Sequence, residues 1–150
     1  EPSGPYLNKL LRLSEKQRFC EAELQLWFAL NRFQYASILE ALLIEYDVII
    51  LEDYIGTGIA WGMTKGVDKQ WLEMINKPLC KEDLAILLDG ELNLQAQEPG
   101  HIHEFDAQLL DKCRKNYLNL AREYGWKVII KQQVMENTTE LLWQEVRKFC

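Results

Sequence analysis

No apolar run in this chain approaches the roughly 18 residues that a membrane-spanning helix needs, so a membrane span is not expected. Basic residues are in the minority, 17 Lys and Arg against 23 Asp and Glu, giving a formal net charge of −6. That balance repels polyphosphate backbones and argues against nucleic acid as a partner. A small anionic ligand stays open, because a few placed Arg or Lys residues outweigh the global charge locally. Histidine is scarce. With only His101 and His103 present, neither a Ser-His-Asp nor a Cys-His arrangement is supported. The His-x-His pair has no Cys and no third His beside it, so it reads as ordinary loop histidines rather than a zinc site. Cys20, Cys80, Cys113 and Cys150 form no C-x-x-C pair, which suits a reduced, cytoplasmic chain better than a disulfide framework. Initiator Met and targeting segment are both lacking, and the opening Glu1-Pro2-Ser3-Gly4-Pro5 reads as the start of a fragment.

What is there suffices for one domain: 150 residues, 48% of them hydrophobic, with five tryptophans. No internal repeat or low-complexity tract is visible. A short amphipathic stretch over Tyr6–Leu13 precedes a long helical segment from about Glu15 to Tyr46. In it Phe19, Leu26, Leu30, Phe33, Leu39, Leu42, Leu43 and Tyr46 recur at three-to-four spacing. Asp47 breaks the helix, and Val48-Ile49-Ile50-Leu51 reads as a fully buried strand of a parallel sheet. Glu52-Asp53-Tyr54 and a glycine-spaced loop, Gly56-Thr57-Gly58, follow. The pattern then predicts a helix over Asp68–Lys77 and a second strand over Leu84–Leu88 that ends in Asp89-Gly90. A polar, lid-like loop occupies Gly90–Glu104. Phe105, Leu109, Cys113, Tyr117, Leu120 and Tyr124 mark a helix that Gly125 stops. Val128–Ile130 is a third strand. Asn137-Thr138-Thr139-Glu140 resembles a capping box, opening a last helix over Thr138–Phe149. Helices alternating with short apolar strands define an α/β domain with a parallel sheet. Such sheets bind ligands beyond the carboxyl ends of their strands, where the two longer strands place acids and glycines.

Three patches carry more specific information. The opening Glu1-Pro2-Ser3-Gly4-Pro5 has Leu10-Leu11-Arg12 behind it. Leu26-Trp27-Phe28-Ala29-Leu30-Asn31-Arg32 lies in the long helix. Ile50-Leu51-Glu52-Asp53-Tyr54-Ile55-Gly56-Thr57-Gly58-Ile59-Ala60-Trp61 comes third, and Trp71-Leu72, Asn76-Lys77-Pro78, Asp83-Leu84 and Leu88-Asp89 continue the order. In sequence and spacing the chain resembles the thymidylate kinase family. The family's counterparts are a Glu-Pro-Gly-Gly-Thr turn, a Leu-Phe-Ala-x-Asp-Arg helix and an Asp-Arg-Tyr motif followed by a Ser-rich loop. The resemblance covers essentially the whole chain. It implies a three-layer P-loop kinase fold with a parallel sheet, and transfer of the ATP γ-phosphate to dTMP, giving dTDP, with Mg2+. It also implies a possible homodimer, since family members commonly pair through helices like Glu15–Tyr46.

By the same resemblance Phe28 would stack on the thymine ring and Arg32 would donate hydrogen bonds to a base carbonyl. Positions four apart share a helix face, which pairs a flat apolar plate with a fixed fork of donors. The alternative is Phe28 in the core and Arg32 in solvent. Tyr54, Thr57 and Gly58 join the expected substrate-binding residues. Trp61 stands where the family has a Tyr packed beside the deoxyribose; alternatively it packs under the loop with Ile59. The sharpest departure is Glu52-Asp53, the candidate catalytic pair. The family has Asp-Arg there, and its Arg holds the substrate phosphate. Two adjacent acids repel a phosphate unless a magnesium ion bridges them or phosphate binding has moved, and a solvated acidic strand end is the plainer alternative. The lid-like loop contains no Arg or Lys, so the nearest cations are Lys112, Arg114 and Lys115.

The phosphate-cradling motif G-x-x-x-x-G-K-[ST] occurs nowhere in the chain. In the family it precedes the Glu-Pro-Gly-Gly-Thr turn. The resemblance therefore puts it upstream of Glu1, with two strands of the sheet, one of them between Val48–Leu51 and Leu84–Leu88. The expectation is a single domain over residues 1–150 lacking that segment, with a gap in its sheet, weak nucleotide binding and no turnover. Two rivals stand beside it: a kinase for another nucleotide or a deoxynucleoside, and a catalytically inactive nucleotide-binding or scaffold relative.

Overall fold

The structure, a computed structural model, describes residues 2–11, 20–90 and 106–149. The lid-like loop past Gly90, with His101 and His103, and the segment 12–19 lie outside the described residues. Helix α1 (Gly4–Leu11) packs Leu7 and Leu10 against Leu24 of the 25-residue helix α2 (Glu21–Glu45). A hydrogen-bonded knot fixes this pairing: Ser3 Oγ donates to Gln34 Oε1 (2.7 Å), and Asn31 Nδ2 donates to Ser3 Oγ (3.0 Å).

Beyond α2 the chain departs from expectation twice. Val48–Leu51 forms no ladder among the described residues, and Ile50 is 83% exposed. The expected buried strand is therefore an extended connection. Apolar content does not make a strand; hydrogen bonds to a neighbouring strand do, and no neighbour stands here. The second departure is Gly56-Thr57-Gly58, which is not a loop but the first turn of helix α3 (Ile55–Thr64). Glycine costs a helix roughly 1 kcal/mol per residue relative to Ala. Here the absent side chains are what the packing needs. A Cβ on Gly56 would stand 2.6 Å from the Trp126 ring, and one on Gly62 would stand 2.7 Å from Leu72 Cδ1. Close approach of neighbours overrides local propensity.

Helix α4 (Lys69–Asn76) starts at Asp68, whose carboxylate accepts from the Trp71 N–H at 2.9 Å. Strand β1 (Ile86–Asp89) pairs in parallel with β2 (Lys127–Ile130), Leu88 opposite Ile129. Helix α5 (Ala107–Tyr124) lies between them in sequence, the connection that parallel strands require. Its ends follow the sequence: Asp106 accepts from the N–H groups of Gln108 and Leu109, and Gly125 closes it in the left-handed conformation at φ 74°. Helix α6 (Met135–Val146) begins before the expected capping box. Its cap is Val134, and Asn137, the expected cap, lies inside the helix; the Thr138 hydroxyl accepts from the Gln132 N–H at 2.9 Å and holds the turn after β2.

Helix α3 is the hub. Helices α2, α4 and α5 all pack on it, α5 most extensively. Ile59, Ala60, Leu72 and Leu120 form the buried core, with Trp71, Tyr117 and Trp126 around it. The last carbonyls of α3 are also satisfied from α5: Lys112 Nζ donates to Thr64 O at 2.7 Å.

Candidate functional site

Arg32 is the most informative side chain of the molecule. It projects from α2 toward α3, and a Cβ on Gly58 would stand 3.1 Å from its Nη2 and 3.3 Å from its Nη1. Its Nε donates to Asn76 Oδ1 of α4 at 3.1 Å. Nη2 is shielded from solvent and has no acceptor among the described residues. Burial lowers the guanidinium to about 10, opposed by the nearby Tyr54, so it still carries its charge at neutral pH. A buried cation with an unfilled donor edge is costly unless something supplies lone pairs. Gln25, 2% exposed, approaches the same spot from about two helical turns away on α2.

Three residues of the next stretch form a second cluster. Asp53 has φ 52°, a left-handed conformation that Asp tolerates better than most residues. Its Oδ1 accepts from Thr57 Oγ1 at 3.1 Å, and Tyr117 of α5 lies beside Thr57. Burial pushes the Tyr117 hydroxyl far above its usual range, opposed by Thr57. Tyr54 caps the turn by donating from its hydroxyl to Cys80 O at 3.1 Å. Glu52 is exposed, and Trp61 is half-buried on α3.

At the carboxyl end of β1, Asp89 is engaged. Arg114 grips it with both edges of its fork, Nε to Oδ1 at 2.6 Å and Nη2 to Oδ2 at 2.8 Å. Those hydrogen bonds hold the Asp89 carboxyl below the usual carboxylate range. The other two cations near the lid are engaged as well, Lys112 with Thr64 O and Lys115 with Asp111 at 2.6 Å.

The thymidylate kinase family profile matches residues 1–141. The chain belongs to the thymidylate kinase family. It is 32% identical over 148 residues to the probable thymidylate kinase of Methanocaldococcus jannaschii, covering 95% of this chain and 78% of that protein. It is 30% identical to probable thymidylate kinase 1 of Saccharolobus solfataricus, covering 92% and 77%. The fold matches the solved thymidylate kinase of Candida albicans with a TM-score of 0.79 over 99% of this chain and 76% of that one, at 22% identity. The P-loop kinase fold expected from the sequence is thereby the fold of this chain.

Of the thymidylate kinase positions singled out in the sequence, the structure brings Arg32 against Gly58 and links Asp53 to Thr57. Phe28 leans instead on the Leu7, Leu10 and Leu24 cluster under α1, half-buried. Three contributors escaped the sequence: Gln25, Asn76 and Tyr117. Gln25 carried a signal. It sits at i−7 from Arg32, with Ala29 between, and so on the same helix face. Asn76 and Tyr117 belong to other helices; the Asn76-Lys77-Pro78 stretch and the apolar pattern through Tyr117 were legible, but neither gave the side chain a role at this site.

Proposed function

We propose that this protein is a dTMP kinase, transferring the γ-phosphate of ATP to dTMP, and that residues 1–150 act as one domain that receives the nucleotide acceptor. The observation that supports it best is the solvent-shielded Nη2 of Arg32 beside Gly58, which has no acceptor among the described residues. Thymine offers carbonyl oxygens and a flat ring. A guanidinium only donates, so it pairs with a carbonyl and leaves an amino group unpaired. The free Nη edge of Arg32 lacks an acceptor here, and a base carbonyl placed beside Gly58 would fill that need. Thr57, Tyr54 and Trp61 surround the same helix and would line the sugar side. The Asp53 carboxylate is held by Thr57, so the substrate phosphate takes its positive partner elsewhere.

ATP and Mg2+ are what this reaction requires. The sequence holds no glycine-lysine phosphate loop. Among the described residues no three His, Cys, Asp or Glu side chains converge as metal ligands. Asp89 is taken by Arg114. These residues therefore do not fit either group, and their share of the chemistry is to bind and orient the acceptor.

A homodimer would use α2. Leu26, Leu30, Phe33 and Ile44 fall on one face of it, each between 42% and 91% exposed. A reduced, cytoplasmic setting agrees with the free thiols of Cys20, Cys80 and Cys113. No helix among the described residues is long and apolar enough to cross a membrane.

Calorimetric titration of dTMP, thymidine and dCMP, with ADP release measured in the presence of ATP and Mg2+, tests the proposal. Saturable binding that prefers dTMP over dCMP supports the acceptor site. Equal turnover of thymidine and dTMP would point to a deoxynucleoside kinase, and dTMP binding without ADP release to an inactive nucleotide-binding relative.

A further inference from the structure

Arg32, the proposed base-reading residue, is held by Asn76, the first residue of the Asn76-Lys77-Pro78 stretch. Asn76 closes α4 and is 3% exposed. Its amide is fixed at both ends: Nδ2 donates to Leu72 O at 2.8 Å, and Oδ1 accepts from Arg32 Nε at 3.1 Å. Turning the amide over would set two donors face to face at Arg32 Nε and two oxygens face to face at the Leu72 carbonyl, so only one orientation is satisfied. That orientation engages the Nε corner of the guanidinium and leaves the Nη edge facing Gly58. The position of Asn76 is itself determined by packing. Leu72, one turn earlier, is fully buried in the notch left by Gly62, where a Cβ would stand 2.7 Å away. Among the described residues no carboxylate pairs with Arg32, so a neutral amide orients the fork without filling its charge.

We propose that Asn76 is a positioning residue for substrate selection: it sets the roll of the Arg32 guanidinium, and so decides between a pyrimidine with a carbonyl and one with an amino group at the same ring position. The inference rests on the reading of Arg32 as the base-contacting residue. A carboxylate at 76 would keep an acceptor for Nε. An aliphatic side chain of similar size would remove it and free the fork to rotate.

Dissociation constants for dTMP and dCMP, measured by calorimetry on the full chain for wild type, Asn76→Leu, Asn76→Asp, Arg32→Ala and the Arg32→Ala/Asn76→Leu double variant, test it. Wild type is expected to prefer dTMP. Asn76→Leu should weaken dTMP about tenfold, the loss of one oriented hydrogen bond, and leave dCMP nearly unchanged. Asn76→Asp should keep the dTMP-to-dCMP ratio within about twofold of wild type, since its oxygen stays where Nε donates. In the Arg32→Ala background, Asn76→Leu should add nothing, because a residue acting through another has no effect once that other is gone. Equal weakening of both nucleotides by Asn76→Leu, or additive losses in the double variant, would show a merely structural role and overturn the proposal. If Asn76→Leu does not fold, Asn76→Ser carries the same cycle. A wild-type protein that binds dTMP and dCMP alike refutes the base-reading role of Arg32 instead, and the proposal with it.

Discussion

Gly58→Ala separates stability from recognition at the candidate site. The new methyl would lie 3.1 Å from Arg32 Nη2, 3.3 Å from Nη1 and 3.4 Å from Gln25 Oε1. The two contacts with Arg32 are tighter than most Cβ atoms meet, yet the guanidinium sits at the end of a flexible chain and can move by a few tenths of an ångström. Against that displacement stands a gain in helix propensity of about 1 kcal/mol for replacing Gly by Ala within α3. The two effects nearly offset, so the melting temperature should shift by no more than about 2–4 °C in either direction for a chain of this size. Binding has no such compensation. The methyl occupies the space into which the donor edge opens, and the loss of a hydrogen bond to a charged group is worth about 1.5–3 kcal/mol. Affinity for dTMP should therefore fall about 10- to 150-fold. Thermal unfolding and calorimetric titration of the same sample read both quantities. Unchanged dTMP affinity in a folded Gly58→Ala protein would place the base away from Arg32 and Gly58.

Leu72→Ala empties a fully buried position in the core and should cost about 2–5 kcal/mol, a melting-temperature drop of about 4–20 °C; a drop under 2 °C would mean that the α3–α4 contact closes up on its own. Asp89 has its folded-state acidity raised by Arg114, so its contribution is present above the ordinary carboxylate value near pH 4 and is lost as pH falls through the lower folded value. The melting-temperature gap between wild type and Asp89→Asn should stay level from about pH 7 to pH 5 and narrow below about pH 4, and a gap that persists unchanged to about pH 2.5 contradicts the bidentate pairing. Asp53→Arg restores a cation where the family carries one, at a cost of about 1–2 kcal/mol for the left-handed backbone. It should raise affinity for dTMP relative to thymidine, and an unchanged ratio would place the substrate phosphate away from Asp53.

The parts of the fold that were readable in the sequence are those fixed by local chemistry. Gly125 ends α5 where expected, and β1 and β2 follow their short apolar runs. The parts that were not readable depend on partners distant in sequence. Val48–Leu51 looked like a strand because apolar runs do, but pairing is a property of two segments. Gly56-Thr57-Gly58 looked like a loop because glycines usually break helices. Only Trp126, seventy residues on, shows why the first of them belongs in one. Asn137 to Glu140 carried the letters of a capping box, yet the helix already runs from Met135, with Val134 at its cap. In the candidate site, Arg32 and Gly58 could be named from motifs. Asn76, which holds one of them, was legible only as part of the Asn76-Lys77-Pro78 stretch, because its contact with Arg32 joins two helices at positions 44 residues apart.

The bare positions of α3 have a further consequence, for the order of folding. Three glycines in ten residues remove about 3 kcal/mol of intrinsic helicity, and a segment that short is marginal even with good helix formers. In isolation α3 would be coil. It gains its shape only when Leu72, Trp126 and the Arg32 fork have closed on its flanks, so one wall of the proposed acceptor site is assembled by the same event that completes the interior. Recognition and cohesion in this protein should appear together on the refolding time axis, with no collapsed species that has one and not the other.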